Sequence, residues 1–214
     1  MQKVLRSCTA RFSYLSHMNF LAHLYLSGDD PRVRVGNFIG DFVKGRDLPA
    51  RFGAPIAAGI QLHREIDHFT DRHPVVKKSK ARLWPVHRHY AGVVVDLYYD
   101  HFLARRWPEF HHSLLPDYAA ACYQVVLSHL PVLPEKMKRM LPLMMKDDWL
   151  SNYAKLEGLG RAFSGLAQRT RFASNMDQAI PGLQRHYADF ENEFLAFFPD
   201  LQHFARTWMD ERGK

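Results

Sequence analysis

HRHYAGVVVDLYYDHFLARRW, residues 87–107, is the stretch on which the fold class turns. Val93-Val94-Val95 is the one β-leaning spot in the chain, because β-branched residues favour strands. Yet the triplet sits inside a longer apolar pattern of Val93, Val94, Leu97, Tyr98, Phe102 and Leu103, stopped by Pro108. That spacing and length are those of a helix. Moving outward, residues 55–69 open with Pro55 at a first-turn position and continue through Ile56, Ile60, Leu62 and Ile66. Residues 35–43 carry Phe38, Ile39, Phe42 and Val43 and end near Gly45, and MNFLAHLYLS at 18–27 has the same period. Downstream, helices are expected over 119–130 (ended by Pro131), 149–156, 158–169 and 183–198. The last shows Tyr187, Phe190, Phe194 and Phe197 on one stripe. No run of alternating residues is bounded by hairpin turns. The expectation is one all-α domain.

Composition narrows the class. An apolar content of 47% over 214 residues suffices for a substantial core. Cys8 and Cys122 are too few and too far apart for a zinc finger or a secreted scaffold, so a reducing, cytoplasmic setting is expected. No apolar run is long enough to span a bilayer. The formal charge of +7 favours an acidic partner. The bases are scattered, however, and no RNA-binding signature occurs, so nucleic acid is not the expected partner. Residues 1–17 contain Lys3, Arg6 and Arg11 and no acid. They read as an N-terminal extension, either a transit peptide or an upstream start, with Met18 as the natural start of a helical domain over 18–214.

Thirteen histidines are the stronger clue, since imidazole binds metals and titrates near neutrality. Polar residues recur four apart within apolar surroundings: Asn19 and His23, Asn37 and Asp41, His63 and Asp67, Asp96 and Asp100. On a helix such pairs share a face. A carboxylate is costly to bury unpaired, and one divalent metal satisfies several carboxylates and imidazoles at once. Each pair also has a plainer reading. His63–Asp67 beside Arg64 and Glu65 is also what a surface ion pair looks like. Asp41 before Lys44 and Arg46 fits a helix-end charge pattern, and His23 fits a hydrogen-bonded core histidine. Asp96–Asp100 resists such readings, because like charges at that spacing repel and their neighbours are apolar. His101 can bond a carboxylate or the backbone. The combination points to a shared centre.

MNFLAHLYLS (18–27), GNFIGDFVKG (36–45), AGIQLHREIDHFTDRHP (58–74) and VDLYYDHFLARRW (95–107) together resemble the bacterial acyl carrier protein phosphodiesterases. The resemblance implies hydrolysis of the phosphodiester joining 4′-phosphopantetheine to the carrier serine, with a divalent metal, manganese favoured over magnesium or another ion. It also implies an all-helical fold like that of the His-Asp metal phosphohydrolases. The positions matching the family's words are His23, Asn37, Asp41, His63, Asp67, Asp96, Asp100 and His101. The adjacent His-Asp dipeptide of that superfamily is absent here, since the neighbouring pair reads Asp100-His101.

On this basis Asp41, His63, Asp67 and Asp96 are expected as metal ligands. Asp100 and His101 are expected as supporting or acid–base groups, His23 as a further proton donor, and Asn37 within the catalytic set. Lys44, Arg46 and Arg64 are expected to hold phosphate oxygens or acidic carrier residues, although solvated charges at helix ends would look the same. Two rival functions share part of this pattern: a helical hydrolase of a nucleotide such as guanosine polyphosphate, and a carrier-binding module without catalysis. A di-iron bundle is rejected, because of the two Glu-x-x-His occurrences, Glu65 to His68 and Glu109 to His112, the second adjoins Pro108 where that architecture needs both on helices.

Overall fold

Why the chain folds into short helices rather than a few long ones is answered by its prolines and glycines. The computed structural model describes residues 19–168, 170 and 174–212, and among these every regular element is helical. The extension expected at 1–17, and Met18, lie outside the described residues. Twelve α-helices follow one another: α1 (Phe20–Tyr25), α2 (Pro31–Ile39), α3 (Leu48–Phe52), α4 (Ala54–Arg72), α5 (Pro74–His87) and α6 (Ala91–Arg105). Then come α7 (Leu115–Ser128), α8 (Glu135–Lys146), α9 (Trp149–Asn152), α10 (Leu156–Ala167), α11 (Ala179–Arg185) and α12 (Tyr187–Arg212). Pro31, Pro49, Pro55, Pro74 and Pro116 stand in first turns, where a missing N–H costs nothing. The single all-α domain expected from periodicity is the one observed.

Several boundaries differ from expectation. Residues 87–107 do not form one helix: α5 ends at His87, Arg88 takes a left-handed φ of 50°, and a 3-10 turn leads into α6. The helix expected from Val35 begins at Pro31, because Asp30 accepts the Arg32 N–H at 2.8 Å. It also stops at Ile39 and tightens into a 3-10 turn, Gly40–Phe42, so Asp41 leaves the α-helical register of Asn37. Only the first turn of 149–156 is helical, and the expected final helix divides at His186. Its second part, α12, runs through Pro199 to Arg212.

The longest helices frame the core. α12 buries Phe190, Phe194, Phe197 and Phe198 and packs on α4, α5 and α6. Its buried carboxylate, Glu193, is met by Arg82 in a two-pronged pair at 2.6 and 2.8 Å and by the Ser79 hydroxyl. A buried carboxylate needs such partners. α2 and α4 cross almost in backbone contact. A Cβ on Gly36 would stand 2.1 Å from the Ile56 carbonyl oxygen, and one on Gly59 2.0 Å from that of Val33. Only glycine allows this approach. It brings the end of α2 against the middle of α4, where the polar residues gather.

Candidate metal centre

α1 has six residues, too few to be stable alone. It is held from outside: the Asp100 carboxylate on α6 accepts the N–H groups of Leu21 and Ala22, both at 2.9 Å. These are free first-turn donors, so Asp100 acts as a helix cap supplied across the fold. Burial pushes its carboxyl well above the usual range, against the downward pull of the two amides. α1 in turn carries His23 into the interior.

Asn37 then orients two imidazoles. Its side-chain oxygen lies 2.8 Å from His23 Nδ1, and its main-chain oxygen lies 2.7 Å from His63 Nδ1. Both oxygens are acceptors, so each Nδ1 carries the hydrogen and each Nε2 keeps its lone pair. The Asn37 amide donates to the His23 carbonyl and the Ser27 hydroxyl, which fixes the side chain against rotation. The two rings stack with centroids 3.9 Å apart. His63 has room because residue 40 is glycine: a Cβ there would be 2.2 Å from the imidazole.

The two Nε2 atoms converge on carboxylates. His23 Nε2 is 3.3 Å from one Asp67 oxygen, and His63 Nε2 is 3.4 Å from the other and 3.4 Å from Asp41. Both nitrogens are buried without a hydrogen bond. One ligand atom from each of His23, His63 and Asp67 lies within 4.8 Å of the others, a grouping able to hold a metal ion. Its donor set of two imidazoles and one carboxylate, with lone pairs presented by second-sphere hydrogen bonds, suits a first-row divalent cation. Burial, then the neighbouring His63, lowers the pKa of His23. Burial also acts against charge on His63, but Asp67 and Asp41 outweigh it and raise its pKa. The two carboxylates thus favour a positive charge at His63 Nε2, for which a proton and a metal ion would compete. Asp41 and Asp67 are the more open members, 11% and 18% exposed in their side chains, and mark the mouth.

The remaining expected residues lie elsewhere. Asp96 is buried on α6 one turn before Asp100 and is not in the group of three. His101 spends both ring nitrogens, on the Tyr153 carbonyl at 2.7 Å and the Tyr187 hydroxyl at 2.8 Å, and burial lowers its pKa. Arg64 donates to the carbonyls of Val43 and Gly45, both at 3.1 Å, and so straps the loop after Asp41. Lys44 and Arg46 are exposed on that loop. The helix spacing points to Asn37 and His63 separately but not to their connection, because the Asn37 main-chain oxygen that meets His63 has no side-chain signature.

Asn37→Ala is expected to weaken metal binding by about 10- to 100-fold, because His23 loses its orienting acceptor while the His63 contact survives. A manganese titration of the two proteins checks this; equal affinity would remove the side chain from the account.

Comparison with known proteins agrees with the resemblance. The family model described as acyl carrier protein phosphodiesterase matches residues 18–201. A protein of that name from Serratia proteamaculans is 32% identical over 190 residues, covering 88% of this chain and 98% of that protein. One from Yersinia pestis is 31% identical with the same coverage. One from Photorhabdus laumondii is 32% identical over 195 residues, covering 89% and 96%. No solved structure matches the chain, and no described helix is long and apolar enough to cross a membrane. With a family match over most of its length and relatives aligned nearly end to end, the chain belongs to the acyl carrier protein phosphodiesterase family.

Proposed function

We propose that this chain is a metal-dependent phosphodiesterase that converts holo-acyl carrier protein to the apo-protein and 4′-phosphopantetheine. One observation carries the reading: two buried Nε2 atoms, presented by Asn37, converge with the Asp67 carboxylate at the spacing of metal ligands. The relatives' name supplies the substrate. A divalent cation at His23, His63 and Asp67, manganese by family resemblance, would neutralise non-bridging phosphate oxygens and acidify water.

The protein's own groups do the rest. Asn37 holds both rings in place, so no reorganisation is needed during reaction. Asp41, at the mouth and 3.4 Å from His63, is the carboxylate placed to accept the proton of the attacking water. The water oxygen bonds to phosphorus as the phosphorus–oxygen bond to the carrier serine breaks, the proton held by Asp41 passes to the serine oxygen, and the phosphate leaves with pantetheine. Lys44 and Arg46 stand on the rim to meet an anionic substrate. Arg64 supports them by holding their loop, and Asp100 and His101 act as positioning residues.

The test is incubation with purified holo-acyl carrier protein and manganese, followed by intact-mass measurement. The carrier should lose the phosphopantetheine mass, and chelation should stop the loss until manganese is restored. An unchanged holo-carrier mass overturns the reaction, and loss that ignores chelation overturns the metal.

A further inference from the structure

Between Glu135 and Asp147 the sequence reads KMKRMLPLMMK, with four bases and no acid. In the fold this run and Glu135, which pairs with Lys138 at 2.8 Å, form α8, and its two faces differ sharply. Met137, Met140, Leu141 and Met144 are buried, which fixes the helix rotation. Lys136, Arg139, Leu143 and Lys146 fall three or four residues apart on the opposite face and are all exposed. Leu143 is 51% exposed, an apolar side chain set among three cations.

The first turn of this helix reaches the segment that carries Asp41. Lys136 Nζ lies 5.4 Å from the centroid of the Phe42 ring, a cation–π contact. Phe42 follows Asp41 in the 3-10 turn, and exposed Lys44 and Arg46 follow Phe42. Lys136 and the loop bases Lys44 and Arg46 therefore all border the turn that carries Asp41. The other basic helix, α5, is different: Lys78 and Arg82 are paired with Glu193, and Lys80 with Asp71. Three of its four Lys and Arg side chains are thus held in ion pairs, and Lys77 is exposed.

We infer that the exposed face of α8 is the docking surface for the acidic protein substrate: Lys136, Arg139 and Lys146 meet its carboxylates, and Leu143 meets an apolar residue between them. The inference rests on the reading that the substrate is an acidic carrier protein. Charge complementarity around one apolar contact is the usual basis of register and fast encounter at such surfaces. A scattered positive charge would attract the carrier without orienting it. A striped face that begins beside the Asp41 turn does both.

The test measures binding separately from turnover. Fluorescently labelled holo-acyl carrier protein is titrated by anisotropy against the full chain, against Lys136→Glu/Arg139→Glu/Lys146→Glu, and against Lys77→Glu/Arg161→Glu/Arg185→Glu. The second set reverses three exposed bases elsewhere, with the same change in net charge. Melting temperature and manganese content report an intact fold and site. The α8 variant should weaken binding at low salt by roughly 30-fold or more, with the difference shrinking as salt rises, and the control by no more than about threefold. Leu143→Ser should weaken binding by about fivefold at every salt concentration, since a lost apolar contact is not screened. Equal losses in the two triple variants, no loss in either, or no carrier binding by the unmodified protein would overturn the docking face. Binding that depends on α8, with no change in carrier mass, would leave the docking face standing and sink the hydrolase reading.

Discussion

Asp67→Asn is expected to abolish manganese binding and to lower turnover of holo-acyl carrier protein by on the order of a thousandfold, with the helical fold retained. The carboxylate is the only anion in the group of three, and its two oxygens face two different imidazoles at 3.3 and 3.4 Å. Asparagine keeps the shape and removes the charge. It also removes the largest influence that raises the His63 pKa, so the metal-free variant should bind its proton less readily. In the unmodified protein a proton and the metal compete for His63 Nε2, so affinity should fall as pH drops. Asp96→Asn, outside the group, should keep its manganese. Metal content after desalting, intact-mass turnover and thermal melting distinguish these outcomes. Normal manganese in Asp67→Asn would show that the ligand set is wrong.

Gly59→Ala is expected to destabilise the fold by about 3 kcal/mol, at the upper end for overpacking by one methyl group. The new carbon would lie 2.0 Å from the Val33 carbonyl oxygen and 2.8 Å from the Asn37 nitrogen, both rigid backbone, so α2 and α4 must part. The same movement lengthens the bond between Asn37 and His63, and manganese affinity should fall with stability. Gly165→Ala is the counterpart of opposite sign. It lies in α10, where a Cβ meets nothing within 4 Å, so better helix propensity should add about 0.5–1 kcal/mol. Urea denaturation of the two variants measures both; an unchanged midpoint for Gly59→Ala would mean that the helix crossing is not tight.

Much of this was readable before any coordinates, and the reasons differ by residue. α4 was clear because Pro55 marks its start and Ile56, Ile60, Leu62 and Ile66 keep one helical stripe. His63 and Asp67 were legible with it, since a four-residue spacing on a well-defined helix puts both on one side. The same rule applied to Asp96 and Asp100 says which residues are neighbours but not what they face. Asp100 turned out to face the open amides of α1. Asn37 and Asp41 illustrate a second limit: the helix tightens at Gly40, so the spacing no longer implies a shared α-helical face. α5 and α8 left little trace, because dense bases and the internal Pro85 and Pro142 interrupt their apolar patterns. His23, expected as a proton donor, also stands in the group of three able to hold a metal ion. Its partner across the stack comes from an element 40 residues later, a proximity no local pattern encodes.

The cap that Asp100 places on α1 limits how far the metal centre can be moved as a unit. His23, His63 and Asp67 all lie in the first third of the chain, which suggests a portable segment ending near residue 74. Such a fragment would carry all three members of the group and still lack the carboxylate that holds the six-residue helix bearing His23. Nearly eighty residues of chain must return before that helix has an anchor. Grafting the segment into another scaffold would therefore transfer the donor atoms without their arrangement, and cleavage between α4 and α6 that lets the halves separate would release the metal.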